Sequence, residues 1–120
     1  MNYITKLLTL QTQLMVYHWQ SDSYAAHQAF GGAYDGLSDL IDSFIEEFMG
    51  GNARIISKDK FKIELSNLED SDPVEFIENY IQYLIHDLPK GLKGHETNLL
   101  NIRDEMLSEL QKLKYLLTLT

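Results

Sequence analysis

A bundle of four α-helices joined by one long crossover is the fold that this sequence predicts. Three observations point to it. Apolar residues recur every three or four positions over long stretches, which is the spacing of a single helix face. The prolines and most of the glycines lie at the ends of these stretches. Two of the connections are short, which predicts that helices one and two, and helices three and four, form antiparallel hairpins.

The first predicted helix covers residues 2–20 and the second covers residues 24–49. A stripe of leucine, isoleucine and methionine runs along the first helix, and no proline or glycine interrupts it. The polar residues 21–23 lie between the two helices, and each of their side chains can accept a hydrogen bond from a free N–H group at the start of helix two. The glycines at 50 and 51 predict where helix two ends.

The third helix has the clearest beginning. Asp72 can cap it, Pro73 suits the first helical position, and Glu75 stands where a capping box places an acid. Pro89 predicts its end. The fourth helix covers residues 96–117, where leucine, isoleucine and methionine repeat at intervals of three and four and form a coiled-coil-like seam.

The crossover covers residues 52–71 and is polar and mixed in composition. Phe61, Ile63 and Leu65 alternate with polar residues, and this period of two favours an extended segment. A short strand and a turn of helix are both compatible with this part of the sequence. Its length suffices to cross a bundle from end to end, because an extended chain covers roughly 3.3 Å per residue.

Composition and charge exclude several classes of protein. The chain has 120 residues, which fits a single domain over residues 1–120. Its formal net charge of -8 disfavours binding to nucleic acid. The absence of cysteine excludes disulfides and thiolate metal sites. No apolar run is long enough to span a membrane and no signal peptide is recognisable, so we expect a soluble, cytoplasmic protein without a membrane partner.

Helix two separates into three faces at about 100° per residue. One face is broad and apolar and is expected to line the core. A second carries small residues, and three glycines occur within six positions. A glycine inside a helix costs roughly 1 kcal/mol relative to alanine, so Gly31, Gly32 and Gly36 need an explanation. Close approach of a neighbouring backbone, a bound ligand and a local kink are the three explanations.

The third face of helix two carries polar residues and one aromatic ring, at His27, Tyr34, Asp42 and Glu46. Three specialised faces are hard to cover in a monomer of four helices. We therefore predict a homo-oligomer that associates through helices one and two.

A histidine and two carboxylates on that third face have the donor atoms of a metal site. Asp42 and Glu46 are four residues apart and point the same way from one helix. Together with His27 they offer nitrogen and oxygen ligands, which suit iron, manganese or zinc. A solvated polar face is the alternative interpretation of the same residues.

Several short segments resemble a group of short, uncharacterised proteins of tailed bacteriophages. The resemblance is carried by His18-Trp19-Gln20, by Ser23-Tyr24-Ala25, by the single residues His27, Tyr34, Leu37, Asp42, Phe44 and Glu46, and by the end of the chain from Leu99 to Leu119. It implies a phage origin and a location in the cytoplasm of the host cell. It implies no activity.

The part from Gln11 to Met49 resembles, more distantly, the Dps branch of the ferritin-like superfamily, whose members store iron. The His18-Trp19 pair carries this resemblance together with the histidine and acids of helix two. The resemblance implies a ferritin-like four-helix bundle that binds iron or another divalent metal at a subunit interface. The metal ligands that it implies are His18, His27, Asp42 and Glu46. It also implies a ferroxidase-like reaction if the protein is an enzyme.

Two further functions stay open from the sequence. A candidate ligand-binding site consists of His18, Trp19, Tyr24, His27 and Tyr34. Its aromatic rings would stack on a planar group, and a non-catalytic phage protein with this site would sequester a small anionic ligand such as a signalling nucleotide. Alternatively, the same rings fill a protein interface, and the protein has a structural or host-interaction role.

Overall fold

Four α-helices form the framework of residues 2–120, the part of the chain that the computed structural model describes. Their bounds are Tyr3–Gln20 (α1), Tyr24–Gly51 (α2), Pro73–Gln82 (α3) and Thr97–Leu116 (α4). No strand occurs in this part of the chain, so the all-α prediction is confirmed. No helix in it combines the length and apolar character needed to cross a membrane.

Side-chain contacts show that α1 and α2 run antiparallel. The ring of Tyr3, at the start of α1, meets the ring of Phe48 near the end of α2 at 5.1 Å. At the other end of the hairpin, Tyr17 meets Phe30 at 5.5 Å. α4 packs against α2 and α3. The core therefore lies between the hairpin and the second pair of helices, and a long connection separates α2 from α3.

Two helix starts are capped as the sequence predicts. The Ser23 side chain accepts a hydrogen bond from the Ala26 N–H at 3.3 Å, so Ser23 is the residue of the polar break that caps α2. Asp72 accepts from the Glu75 N–H at 3.1 Å, and Pro73 occupies the first turn of α3. Both caps satisfy backbone donors that a helix start otherwise leaves free.

Two helix ends differ from the predicted ones. α2 continues through both glycines and is capped by Asn52. α3 ends earlier as a regular helix, and residues 83–87 form a wide turn of the π type before a short 3₁₀ helix at Leu88–Gly91. Pro89 explains the change, because it lacks the N–H that a continuing helix needs. Arg103 donates to the Leu84 carbonyl at 3.0 Å, which satisfies an oxygen of this wide turn.

Burial concentrates on a continuous apolar core. The side chains with no exposed surface are Leu7, Leu10, Leu14, Leu37, Phe44, Ile77, Leu84, Leu88, Leu99, Met106 and Leu110. Tyr3 is buried among them, and its hydroxyl donates to the Leu88 carbonyl at 2.6 Å. Burial raises the pKa of Tyr3, since the phenolate would lose its hydration. This hydrogen bond fixes the start of α1 against the turn that follows α3.

Glu96 joins the end of α2 to the start of α4. Its carboxylate accepts hydrogen bonds from the Lys93 N–H at 2.8 Å and from the Asn52 side-chain amide at 2.9 Å. The Asn52 amide also donates to the Phe48 carbonyl at 3.0 Å. The hydrogen bond from Lys93, followed by the one from Asn52, lowers the pKa of Glu96 because both stabilise the ionised form.

The crossover is fastened to α1 by two glutamine side chains. Gln13 is only 2% exposed; its amide donates to the Ser66 carbonyl at 2.9 Å and its carbonyl accepts from the Ser66 N–H at 2.7 Å. Gln20 accepts from the Leu68 N–H at 2.7 Å. The alternating segment that includes Phe61 forms neither a helix nor a strand. Its end is therefore held by side chains of α1 rather than by a neighbouring strand.

Candidate functional site

The two histidines at the α1–α2 turn lie against each other. The rings of His18 and His27 are stacked, with centroids 3.8 Å apart and planes inclined by 19°. The His18 Nδ1 lies 2.7 Å from the His27 carbonyl oxygen, and the His27 Nδ1 lies 2.8 Å from the His18 carbonyl oxygen. Because a carbonyl only accepts, each Nδ1 carries a hydrogen. In the neutral rings each Nε2 therefore keeps its lone pair.

This reciprocal pair closes the hairpin. Each histidine binds the backbone of the other, so the pair holds the last turn of α1 against the first turn of α2. The end of α1 adds a further bond, in which the Ser21 N–H donates to the Tyr17 carbonyl at 2.9 Å. The geometry accounts for both histidines as structural residues, and it leaves one nitrogen of each ring available to a ligand.

The glycine at position 31 makes room for one of these rings. A β-carbon there would lie 2.8 Å from Cε1 and Nδ1 of His18. At Gly36, a β-carbon would lie 2.7 Å from the Glu109 side chain of α4. Close approach is thus the explanation for two of the three glycines, although side chains rather than a backbone make the approach. A β-carbon at Gly32 would meet nothing within 4 Å.

Two large aromatic rings project from the same turn. Trp19 is 70% exposed and Tyr24 is 76% exposed. The Tyr24 ring lies 6.4 Å from the His27 ring, and its hydroxyl accepts a hydrogen bond from Gln28. Tyr34 is half-buried and lies seven residues after His27, which is about 10 Å further along α2 at 1.5 Å per residue. The structure thus brings four of the five candidate ligand-binding residues to the turn.

A polar groove lies at the same turn, next in sequence to Trp19. It is lined by Gln20, Asp22, Asn67, Leu68 and Glu69. The crossover reaches the turn here, because the Gln20 amide also donates to the Asn67 side chain at 3.0 Å. Prediction from sequence missed this groove. The polar break at 21–23 indicated only a helix cap, and no local pattern connects it with residues 67–69.

The two predicted carboxylate ligands lie far from the histidines. Asp42 and Glu46 are exposed on α2, 15 and 19 residues after His27. At 1.5 Å per residue these separations correspond to about 22 and 28 Å along the helix. Between residues 2 and 120 no group of three or more histidine, aspartate or glutamate side chains is placed to hold a metal ion. The four predicted metal ligands therefore do not meet within one copy of the chain.

Asp42 instead belongs to a groove on the outer side of the hairpin. Isoleucine and leucine side chains line this groove together with Ser38, Asp39 and Gln11. Arg103 of α4 binds Asp104 at 2.9 Å and the Leu84 carbonyl at 3.0 Å rather than an acid of α2. Both acids of α2 therefore remain without an ion pair in the described part of the chain.

Comparison with known proteins places the chain among proteins of undetermined activity. A profile of a family of unknown function (DUF5856) matches residues 18–117. An uncharacterized 14.6 kDa protein from the mobD–ri intergenic region of Enterobacteria phage T4 is 35% identical over 52 residues, which cover 43% of this chain and 41% of that protein. The aligned part thus spans less than half of this relative. No solved structure matches the chain at a significant level.

Because the family match covers most of the chain, the chain belongs to this family. The similarity to the T4 protein supports the resemblance to short phage proteins that the sequence suggested. The more distant relation to Dps proteins, and the ferritin-like form of the bundle, stay predictions.

Proposed function

We propose that this member of the DUF5856 family is a non-catalytic interaction protein, which binds the basic surface of a partner protein through its α1–α2 turn. The observation that carries the proposal is the exposure of Trp19 and Tyr24. More than two thirds of the surface of each side chain is open to solvent. Tryptophan and tyrosine are the side chains that most often supply the binding energy at protein interfaces.

The turn supports this role because it holds the backbone that carries the two rings. The reciprocal bonds of His18 and His27 connect the helix ends that carry the rings. Gln20, next to Trp19, is bonded to the crossover. A rigid surface loses little conformational entropy on binding, which favours affinity.

The charge beside the rings supports a basic partner. Asp22 and Glu69 line the adjoining groove, and no lysine or arginine lines it. The faces of Trp19 and Tyr24 can also attract arginine and lysine side chains through cation–π interactions. A phosphate group would be repelled by the same acids, so this arrangement supports a basic protein surface better than the anionic ligand that the sequence also suggested.

Substitution of both rings tests this proposal. We expect Trp19→Ala with Tyr24→Ala to weaken partner binding at least thirtyfold, since removal of an interface hot spot costs about 2 kcal/mol or more. The measurement is affinity capture from an enterobacterial lysate with quantitative mass spectrometry, followed by titration of the purified partner. Tyr115→Ala is the matched control, because Tyr115 is similarly exposed at the end of α4. Equal capture by the double variant, or a partner with an acidic surface, contradicts the proposal.

A second candidate function is the binding of a divalent metal between two subunits. The hydrogen bonds of both Nδ1 atoms to backbone carbonyls favour it, because metal-binding histidines are commonly oriented by such a bond. His18 and His27 would each offer Nε2, and Asp42 and Glu46 of a second copy would have to supply the oxygen ligands. The donor set fits a divalent metal only across an interface.

Native mass spectrometry of the protein incubated with Zn²⁺ tests this candidate. We expect bound zinc in an oligomer, and its loss in the variant Asp42→Asn with Glu46→Gln. Asp35→Asn with Glu105→Gln is the control, because it removes the same charge from two exposed acids outside the predicted ligand set. Zinc binding that is unchanged in the first variant excludes the predicted ligand set.

A further inference from the structure

We infer that the protein self-associates by an exchange of arms, in which residues 56–65 of one copy bind in the outer groove of a second copy. These residues are named the crossover arm. The outer groove is the surface between α1 and α2 whose lining includes Ile4, Leu8, Asp39, Asp42 and Ile45. The inference goes beyond the proposed function, since it concerns a different face of the molecule.

The crossover arm carries apolar side chains that its own chain covers only in part. Ile56 is 77% exposed, and Phe61, Ile63 and Leu65 are each more than one third exposed. None of these four belongs to the core or to the partly buried side chains packed against it. By contrast, Ile55 just before the arm does pack against the core. Four such side chains within ten residues are typical of a segment that another surface covers.

The arm also carries a cluster of three lysines, which outnumber its two acids, Asp59 and Glu64. Arg54 precedes the arm, and Lys58, Lys60 and Lys62 lie in it, so that these residues make up four of the ten lysines and arginines. The ion pairs formed by residues 2–120 involve Lys90, Arg103 and Lys114, and no cation of the arm. The arm therefore offers lysines without an ion pair next to partly exposed apolar side chains.

The outer groove has the complementary character. Leu8 is 38% exposed in it, and Ile4 and Ile45 are partly exposed beside it. Asp39 and Asp42 stand exposed at its rim, and no lysine or arginine lines it. The crossover arm, with its lysines and partly exposed apolar side chains, complements this surface in charge and polarity.

The one lysine of the hairpin does not neutralise these acids. Lys6 is the only lysine or arginine of α1 and α2. Its Nζ lies 5.1 Å from the centre of the Tyr83 ring and 5.7 Å from that of the Tyr80 ring, so it faces the segment after the crossover. The hairpin consequently presents an apolar groove with an uncompensated negative rim.

A second copy of the chain can cover both the crossover arm and the outer groove. Within one copy, the end of the arm is tied to α1 by Gln13 and the arm leaves the outer groove open. In a two-fold dimer, each arm would place its apolar side chains on the isoleucine and leucine residues of the other groove. The lysines, with their long aliphatic stems, would reach Asp39 and Asp42 at the rim. Two-fold symmetry repeats this contact, so both arms and both grooves are covered.

Charge reversal on each side of the contact tests the inference. We expect the unmodified protein to be a dimer or larger oligomer by size-exclusion chromatography with light scattering. Lys60→Glu with Lys62→Glu should weaken association at least tenfold, and so should Asp39→Lys with Asp42→Lys. The protein that carries all four substitutions should associate again, because the attraction is restored with opposite signs.

The matched control is Lys90→Glu with Lys112→Glu, which changes the net charge equally at exposed positions outside the arm. We expect this control to associate like the unmodified protein, and circular dichroism to show the same helix content in every variant. A monomeric unmodified protein overturns the inference. The inference is also overturned if association survives the arm substitutions or is not restored by the four combined substitutions. Association that is lost only on chelation of metal overturns it as well.

Discussion

Replacement of Gln13 by leucine should lower the free energy of unfolding by about 1–3 kcal/mol. The variant loses both hydrogen bonds to the Ser66 backbone, whose N–H and carbonyl then lack a partner on α1. The substitution keeps the size of the side chain approximately constant and retains the helix propensity of α1. The loss therefore measures the attachment of the crossover rather than the stability of the helix. Urea unfolding monitored by circular dichroism gives its size.

Limited proteolysis with trypsin gives a local measurement of the same change. The crossover carries Lys58, Lys60 and Lys62 shortly before Ser66. Release of that end should accelerate cleavage after these lysines, while cleavage in α4 should keep its rate. Gln111→Leu is the control, because it is the same exchange at an exposed position of α4, outside the outer groove, and no hydrogen bond of the Gln111 side chain occurs within residues 2–120. Equal stability and equal cleavage in the two variants would show that the Gln13 bonds do not hold the crossover.

The two adjacent glycines of α2 should respond in opposite directions to alanine. Gly32→Ala should stabilise the protein by up to about 1 kcal/mol, because alanine is the better helix former and its β-carbon meets nothing. Gly31→Ala should destabilise it, because the new β-carbon overlaps the His18 ring and overpacking costs about 1–3 kcal/mol. We expect the two variants to differ by about 2 kcal/mol.

Thermal unfolding of both variants, together with the histidine signals in NMR spectra, checks this expectation. In Gly31→Ala the His18 ring has to move, so the signal of its Nδ1 hydrogen should shift or disappear, and that of His27 should follow. In Gly32→Ala both signals should stay where they are. Equal gains in stability would mean that the His18 ring can move away from the α2 backbone at little cost. In that case the histidine pair does not close the hairpin.

These two tests also bear on the proposed function. Gly31→Ala disturbs the pair that holds Trp19 and Tyr24 in position, without removing either ring. A moderate loss of partner binding in this variant would support pre-organisation of the turn. Self-association through the crossover arm should be unaffected, because the outer groove lies further along the hairpin.

Much of the framework follows from short stretches of sequence. The start of α3 is determined by Asp72, Pro73 and Glu75, which act on their own backbone. The apolar spacing of α4 likewise determines which side chains turn inward, and Leu99, Met106 and Leu110 are buried as the seam predicts. Helix caps and apolar periodicity are local properties, so residues within a few positions of each other contain the information.

The candidate site was only partly predictable, because its contacts join residues of two different helices. The spacing of His18, Trp19, Tyr24 and His27 around a short turn allowed their proximity to be anticipated. The sequence could not reveal that each imidazole binds the other's backbone, since this depends on the angle at which α1 and α2 meet. The four residues suggested as metal ligands by a distant resemblance are divided between the turn and a position about 22 Å away.

The sequence by itself determined the approximate positions of the four helices, the cap at the start of α3, the position of the long connection, and the acidity of the molecule. Only the tertiary structure decided where the crossover runs, because Gln13 and Ser66 are separated by 53 residues and no local pattern pairs them. The same holds for Glu96 and Asn52, and for the glycine that accommodates His18. Contacts of this kind form when distant segments pack, and they place the exposed turn, the outer groove and the crossover arm on the finished surface.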